Sequence, residues 1–427
     1  MKKIAGSIVA LVLLLSCHSN KQPLVSQAYI DSLINHYTIP AYVPANEDEM
    51  KFWNQRIDPV HPGQVNEQKF AGALMQRFAM FGDIHDLKKA DSIMSAIDLR
   101  YLRTDGSVSL MRAGLSISQH RFIEAKENLH QAMASGTKKY SLLLSSFDVY
   151  FELGQYDSAA RALHSIRGNK DYNYFFRLSK WEHLHGATDS AVKAMLEAAA
   201  YAEQDSLLRQ VALSNAGDLC VHNGMMDKAT EYYKTCIQLN PVDFHSLMGL
   251  GWIAMVNDQN DSLAEKIFSF VREKSKSPDA LLKLSLLAGS KGDSSLQIKY
   301  AREFVEKVTD SLYGNMYNKY LIDLYTGILN NPSKAEDIAR RELTNRATPQ
   351  TYAWYAFALI KNKKPAQAYV VYQEHISGKP LESQELLWMG KMMKQLHKNY
   401  NAEKFFDAAL QNKYDFPRDV LYTIKND

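Results

Sequence analysis

Few side chains in this 427-residue chain stand where they could do chemistry. The densest histidine pair is His183-Leu-His185. On a helix, residues two apart point in different directions, so the pair is poor metal geometry and reads as ordinary surface or groove histidines. Cys220 and Cys236 fall at positions expected to face a packed interior, where free cysteine behaves as a small hydrophobe. A disulfide in an oxidising compartment is the other reading, and the spacing leaves it open. No phosphate-cradling loop, dinucleotide turn, His-Glu-x-x-His or Gly-x-Ser-x-Gly occurs, and Gly249-Leu-Gly251 lies inside a helical pattern rather than after a strand. The expectation is a non-enzyme that needs no cofactor and no metal.

The one residue with a chemical role written around it is Cys17. Lys2-Lys3 makes a basic start, Ile4 to Leu15 an apolar run of twelve, and Leu14-Leu15-Ser16-Cys17 follows. The run is too short to span a membrane and reads as a secretory signal. Leu-Leu-Ser-Cys resembles the bacterial lipobox. The resemblance implies that residues 1–16 are a signal peptide, that Cys17 becomes the acylated first residue, and that its acyl chains hold the protein to a membrane. His18 rather than Asp after that Cys implies the outer membrane, facing the periplasm, with surface exposure left open.

The rest of the chain has to be read for what would position any site, and its period does that. A small residue recurs at Ala125, Ala159, Ala191, Ala229, Ala264, Ala335, Ala368 and Ala402, at intervals of 34, 32, 38, 35, 71, 33 and 34; only the copy near Gln297 breaks the series. A companion series runs Ala113, Phe147, Ser179, Gly217, Gly251, Ser285, Asp323, Ala356, Gly390. Four residues after most members of the first series stands a larger apolar group: Leu129, Leu163, Met195, Tyr233, Phe268, Tyr372, Phe406. The spacing puts small and large on one helix face, where they interlock with a neighbouring helix. Gly154, Gly186, Gly224 and Gly292 stand where a first helix should end in a left-handed turn, with Asp or Ser expected to cap the second. Pro241, Pro278, Pro349 and Pro380 fall between hairpins.

This pattern resembles the tetratricopeptide repeat, with Trp-x2-Leu-Gly-x2-Tyr, then Ala-x3-Phe, then Pro. Residues 210–243 match at Gly217, Ala229, Tyr233 and Pro241; residues 349–382 match at Tyr352, Ala356, Ala368, Tyr372 and Pro380. The copies at 278–315 and 316–348 are degenerate. The resemblance covers residues 70–416 and implies an all-α superhelical solenoid of antiparallel helix pairs, here bounded at 67–427 with a C-terminal cap. It also implies that first helices line a concave groove. Carried over by position, the groove residues are Asp148, Phe151, Phe176, Lys180, His183, Asp218, His222, Met248, Trp252 and Met255. Whether these aromatics bind a partner or simply fill a tight superhelix stays open.

Residues 17–66 stand outside the period. His18 to Gln27 reads as a polar tether, Ala28 to Tyr37 as a short helix, and Asn46 as the N-cap of a helix that buries Phe52, Trp53 and Ile57 against the first repeat. A helix after Pro417 should cap the last hairpin. Without Lys2 and Lys3 the chain carries 48 basic and 47 acidic residues, and it has no basic run, which argues against nucleic acid as a partner. The expected function is a membrane-anchored scaffold for a protein or peptide of the cell envelope. The alternative is a nutrient-capture lipoprotein working with an outer-membrane transporter, which the even repeat spacing disfavours.

Overall fold

The computed structural model describes residues 22–426, so Cys17 and the signal segment lie outside the described residues. Two helices, α1 (Gln27–Asn35) and α2 (Tyr42–Asn54), lead into ten antiparallel hairpins. They pair α3 (Gln64–Phe81) with α4 (Ile84–Arg100), α5 (Gly106–Ser118) with α6 (Phe122–Ala134), and α7 (Lys139–Glu152) with α8 (Tyr156–Ile166). Next come α9 (Tyr172–Leu184) with α10 (Thr188–Tyr201), α11 (Ser206–His222) with α12 (Met226–Leu239), and α13 (Phe244–Val256) with α14 (Asp261–Lys274). Then follow α15 (Asp279–Ser290) with α16 (Ser294–Val308), α17 (Asn318–Thr326) with α18 (Pro332–Asn345), α19 (Pro349–Lys361) with α20 (Pro365–Val371), and α21 (Ser383–Gln395) with α22 (Asn399–Gln411). α23 (Arg418–Asn426) ends the chain, and no strand occurs among the described residues. No helix among them is long and apolar enough to cross a membrane.

The repeat works through one recurring contact. Ala125, Ala159, Ala191, Ala229, Ala264, Ala335 and Ala368 are fully buried, as are Phe268 and Leu129. A Cβ on Gly217 would lie 2.5 Å from the Tyr233 ring, one on Gly251 would lie 2.6 Å from Phe268, and one on Gly390 would run into Phe406. So in α11, α13 and α21 the small residue of the first helix receives the large residue of the second, and a fully buried ring such as Phe268 contributes roughly 1.5–3 kcal/mol. Where the small residue is serine, it adds a bond instead: Ser179 Oγ donates to the Ala191 carbonyl at 2.7 Å and Ser285 Oγ to that of Gln297 at 3.0 Å. Gln297 itself lies against Gly289, where a Cβ would come within 2.6 Å of its amide.

Gly154, Gly186, Gly224 and Gly292 do take left-handed φ values of 68°, 72°, 72° and 75°. The caps after them differ from expectation. Only Asp293 caps its helix, through the Leu296 N–H; Asp157, Asp189 and Asp227 sit within the first turn, where they answer the helix dipole. At the N-terminus, α2 begins before Asn46, whose buried amide donates to the Ala73 carbonyl at 3.1 Å rather than capping a helix, and Phe52 is exposed.

The solenoid winds until its turns touch. The Phe81 carbonyl in the first hairpin turn accepts the Lys276 N–H at 2.7 Å, at the junction of the sixth and seventh hairpins. The His120 carbonyl in the second turn accepts Asn345 Nδ2 at 2.8 Å, and Asn345 Oδ1 takes the Phe122 N–H at 2.9 Å. Glu152 in the third pairs with Arg346 at 3.3 Å, His183 in the fourth with Glu382 at 3.5 Å, and His222 in the fifth with Asp415 at 2.7 Å. Arg418 reaches Asp261, and Ser290 reaches Asp419. The first five hairpin turns thus dock on the chain five or six hairpins further on, and the sixth and seventh hairpins reach α23, making a continuous seam.

The termini belong to this seam. The expected tether is docked from residue 24 onward: the Leu24 and Val25 N–H groups donate to Asp258 at 3.1 and 2.8 Å, and Val25 and Ile30 are fully buried against the sixth hairpin. Tyr37 packs edge-on to Phe270. α2, in turn, packs on α3, so residues 22–54 join the first hairpin to the sixth. α23 likewise lies on α15, and its Ile424, with Phe416 just before the helix, closes the last hairpin core.

Candidate functional site

First helices from both turns face one another inside the solenoid, and the ten groove positions divide among four surroundings there. Asp218 and Met248 line a cavity of about 760 Å³ bounded by α3, α11, α13, the start of α15 and residues 313–317. Its walls include Phe78, Leu207, Val211, Phe244, Met316 and Tyr317. Leu207 and Val211 leave 50% and 39% of their surface uncovered there. These exposed side chains, four residues apart on α11, form an apolar stripe that none of the described residues covers.

His245 is the polar centre of that cavity. Its Nε2 lies 2.9 Å from Asp218 Oδ2, and Asp218 Oδ1 also accepts the Tyr233 hydroxyl at 2.7 Å. The negative charge of Asp218, with Asp243 and Asp279 behind it, raises His245 to about 9 against the opposing effect of burial. The side chain is walled by protein at longer range yet 61% exposed to the cavity itself, so water screens part of this attraction.

Phe151, Lys180 and His183 line a second, smaller cavity of about 360 Å³, opposite Lys319, Tyr320, Arg346, Trp354, Glu382 and Glu385. Its charges are paired across helices. Lys180 joins Glu152 at 3.2 Å and lies over the Phe151 ring, and Lys319 meets Glu385 at 2.8 Å; Asp148, outside the lining, takes Arg177 at 2.5 Å. Burial works against the Glu152 charge, but Lys180 and Arg346 outweigh it and hold the carboxyl below its usual range. Burial and then Arg346 push His120 down to about 4. Phe176 stacks on Tyr172 in the adjoining core.

The remaining groove positions are not open to a partner. His222 gives Nδ1 to Asp415. Trp252 does turn away from its own hairpin, as its place after Gly251 requires, but the C-terminal segment meets it: Nε1 donates to the Tyr414 carbonyl at 2.9 Å, and Lys283 Nζ sits 3.8 Å over the ring. Burial lowers Lys283 to about 8. Met255 is fully buried in the core of the sixth and neighbouring hairpins and lines no surface. Its helix face points back at α14 rather than inward.

Sequence reasoning draws the inner face from one turn only and misses the facing residues of the other. One signal is present. Phe176 and Met248 stand three residues before the small residue of their first helix, and the same step before Asp323 gives Tyr320, in a copy whose matches are too degenerate to follow. Cys220 and Cys236 are free and buried, with thiols pushed up by burial to about 11 and about 12.

No family model matches the chain, and no curated protein does. Solved structures resemble it at low identity. A tetratricopeptide repeat protein from Parabacteroides merdae is 16% identical over 68% of this chain and 98% of its own, with a TM-score of 0.35. Pseudomonas aeruginosa pilF is 14% identical over 50% of this chain and 96% of its own, with a TM-score of 0.36. A human IFIT1 dimer with PPP-AAAA is 12% identical over 86% of this chain and 77% of that chain, with a TM-score of 0.48. The repeated hairpins of the chain itself carry the conclusion: this is an all-α solenoid of tetratricopeptide-like helix pairs.

Proposed function

We propose that the protein is a membrane-anchored, non-catalytic scaffold of the cell envelope, and that it holds an extended segment of a protein or peptide partner against its inner face. The observation that supports the reading is the unfilled stripe of Leu207 and Val211 on the wall of the 760 Å³ cavity, beside the His245–Asp218 pair. An apolar floor with a few fixed polar groups suits a peptide whose backbone bonds to Asn215, Asp218 and His245 while its side chains cover the stripe. A cavity of this size also falls in the range of small-ligand pockets, about 300–1,000 Å³, which supports nutrient capture as the second reading.

Photo-crosslinking in intact cells separates the two. A photoreactive residue at Val211 should give a discrete protein adduct, while one at Leu102, which is 83% exposed outside the cavity, should not. Absence of a protein adduct from Val211 and from Leu207 would overturn the scaffold reading and leave small-ligand capture. The anchor is tested separately. Cys17→Ser should leave the precursor unprocessed and change its membrane fractionation; unchanged processing would remove the anchor from the proposal.

A further inference from the structure

His183 stands in the last turn of α9, His222 ends α11, and Glu382 is the N-cap residue of α21, on the other side of the seam. One ligating atom from each lies within 4.8 Å of the other two. His183 Nε2 and Glu382 Oε2 are 3.5 Å apart, close to the separation of two donors on a tetrahedral ion with bonds of about 2.0–2.1 Å. The two imidazole rings meet edge to face at 5.0 Å between centroids.

The surroundings carry two further marks. Asp415 Oδ2 accepts from His222 Nδ1 at 2.7 Å, and Ser383 Oγ donates to the same oxygen at 2.6 Å. A carboxylate on the far nitrogen, itself held by a hydroxyl, is the arrangement that fixes ring and tautomer in a ligating histidine. His183 Nδ1, by contrast, is buried without any hydrogen-bond partner. Glu382, opposite Nε2, and the edge-to-face His222 ring hold that imidazole, so its orientation is set by the other two members of the cluster. The His222 Nε2 position now faces Asn412 Nδ2 at 3.0 Å, so an ion displaces that amide.

We infer that His183, His222 and Glu382 bind a divalent transition-metal ion that ties the two turns of the solenoid together. Two imidazoles and one carboxylate are borderline donors, suited to zinc-like ions rather than to Mg²⁺ or Ca²⁺, and three protein ligands leave one position for water. Binding takes the neutral imidazoles and joins residues 183, 222 and 382 through a single atom, at the point where the fourth and fifth hairpins meet the tenth. This inference is independent of what occupies the larger cavity.

The test uses the full-length protein, stripped with a chelator and titrated with Zn²⁺ against a chromophoric competitor, with Mg²⁺ as control. One Zn²⁺ should bind per chain and raise the melting temperature, and Mg²⁺ should do neither. Glu382→Gln and His183→Gln should each weaken Zn²⁺ binding by about 100-fold or more and abolish the thermal shift, while His185→Gln, which alters the exposed neighbour, should change neither. Circular dichroism confirms that each variant is folded, and the isosteric Glu382→Gln serves if a histidine variant is not. Absence of stoichiometric Zn²⁺ binding, or binding by Glu382→Gln as tight as wild type, would overturn the site.

Discussion

The indole of Trp252 and the main-chain carbonyl of Tyr414 share a 2.9 Å hydrogen bond across 162 residues, and through it the end of the chain latches onto the sixth hairpin. Trp252 is therefore covered by the chain itself. Trp252→Ala should cost about 3–5 kcal/mol, and Trp252→Phe less, with the Tyr414 carbonyl left unpaired in both. Urea denaturation measures this, and proteolysis should release residues 412–426 early. A variant as stable as wild type would show that the latch is incidental.

The small-against-large contact predicts opposite outcomes for two glycines. Gly217→Ala drives a methyl into the Tyr233 ring, which cannot withdraw easily because its hydroxyl is held by Asp218 at 2.7 Å. The expected loss is about 1–3 kcal/mol. Gly72, on α3, has nothing within 4 Å of the place a methyl would take, so Gly72→Ala should be neutral or stabilising by about 0.4–1 kcal/mol. Chemical denaturation of the two variants decides; equal effects would contradict the packing scheme.

The pair of His245 and Asp218 makes stability depend on pH in one direction. The folded histidine titrates at about 9, above the ordinary value near 6.5. Its contribution is therefore fully present below pH ~6.5 and is lost as pH rises through about 9. Proton NMR of the His245 ring should give the raised value, and His245→Gln should flatten the fall in melting temperature across that window. A ring titrating near 6.5 would mean that water in the cavity screens Asp218 almost completely.

Asp258 holds the incoming chain through the N–H groups of Leu24 and Val25. Asp258→Ala leaves both unpaired at a cost of about 1–3 kcal/mol. The expected phenotype is local: residues 22–37 become accessible to protease while the hairpins keep their helical circular dichroism. Protection equal to wild type would mean that burial of Val25 and Ile30 alone suffices to dock the segment.

The interlocking series is legible because it is local. Ala229 and Tyr233 are four apart on one helix, and Gly217 reaches them across a single short turn, so the period records the contact directly. The capping aspartates are harder to read for a related reason: a residue two places into a helix and one just before it look alike in sequence, and only the backbone separates Asp157 from Asp293.

The hairpins, their left-handed glycine turns and the small residues on which they pack all follow from the order of the amino acids, because each depends on neighbours within about one repeat. The closure of the solenoid does not. Asn345 with His120, Asp258 with Val25, Trp252 with Tyr414, and His183 with Glu382 meet only because small rotations between successive hairpins accumulate until the turns touch. That sum is spread over many weak packing preferences, and no single residue carries it. The same closure covers Trp252 with the C-terminal segment, leaves Leu207 and Val211 bare on the inner face, and brings two histidines from adjacent hairpins to a glutamate in the tenth.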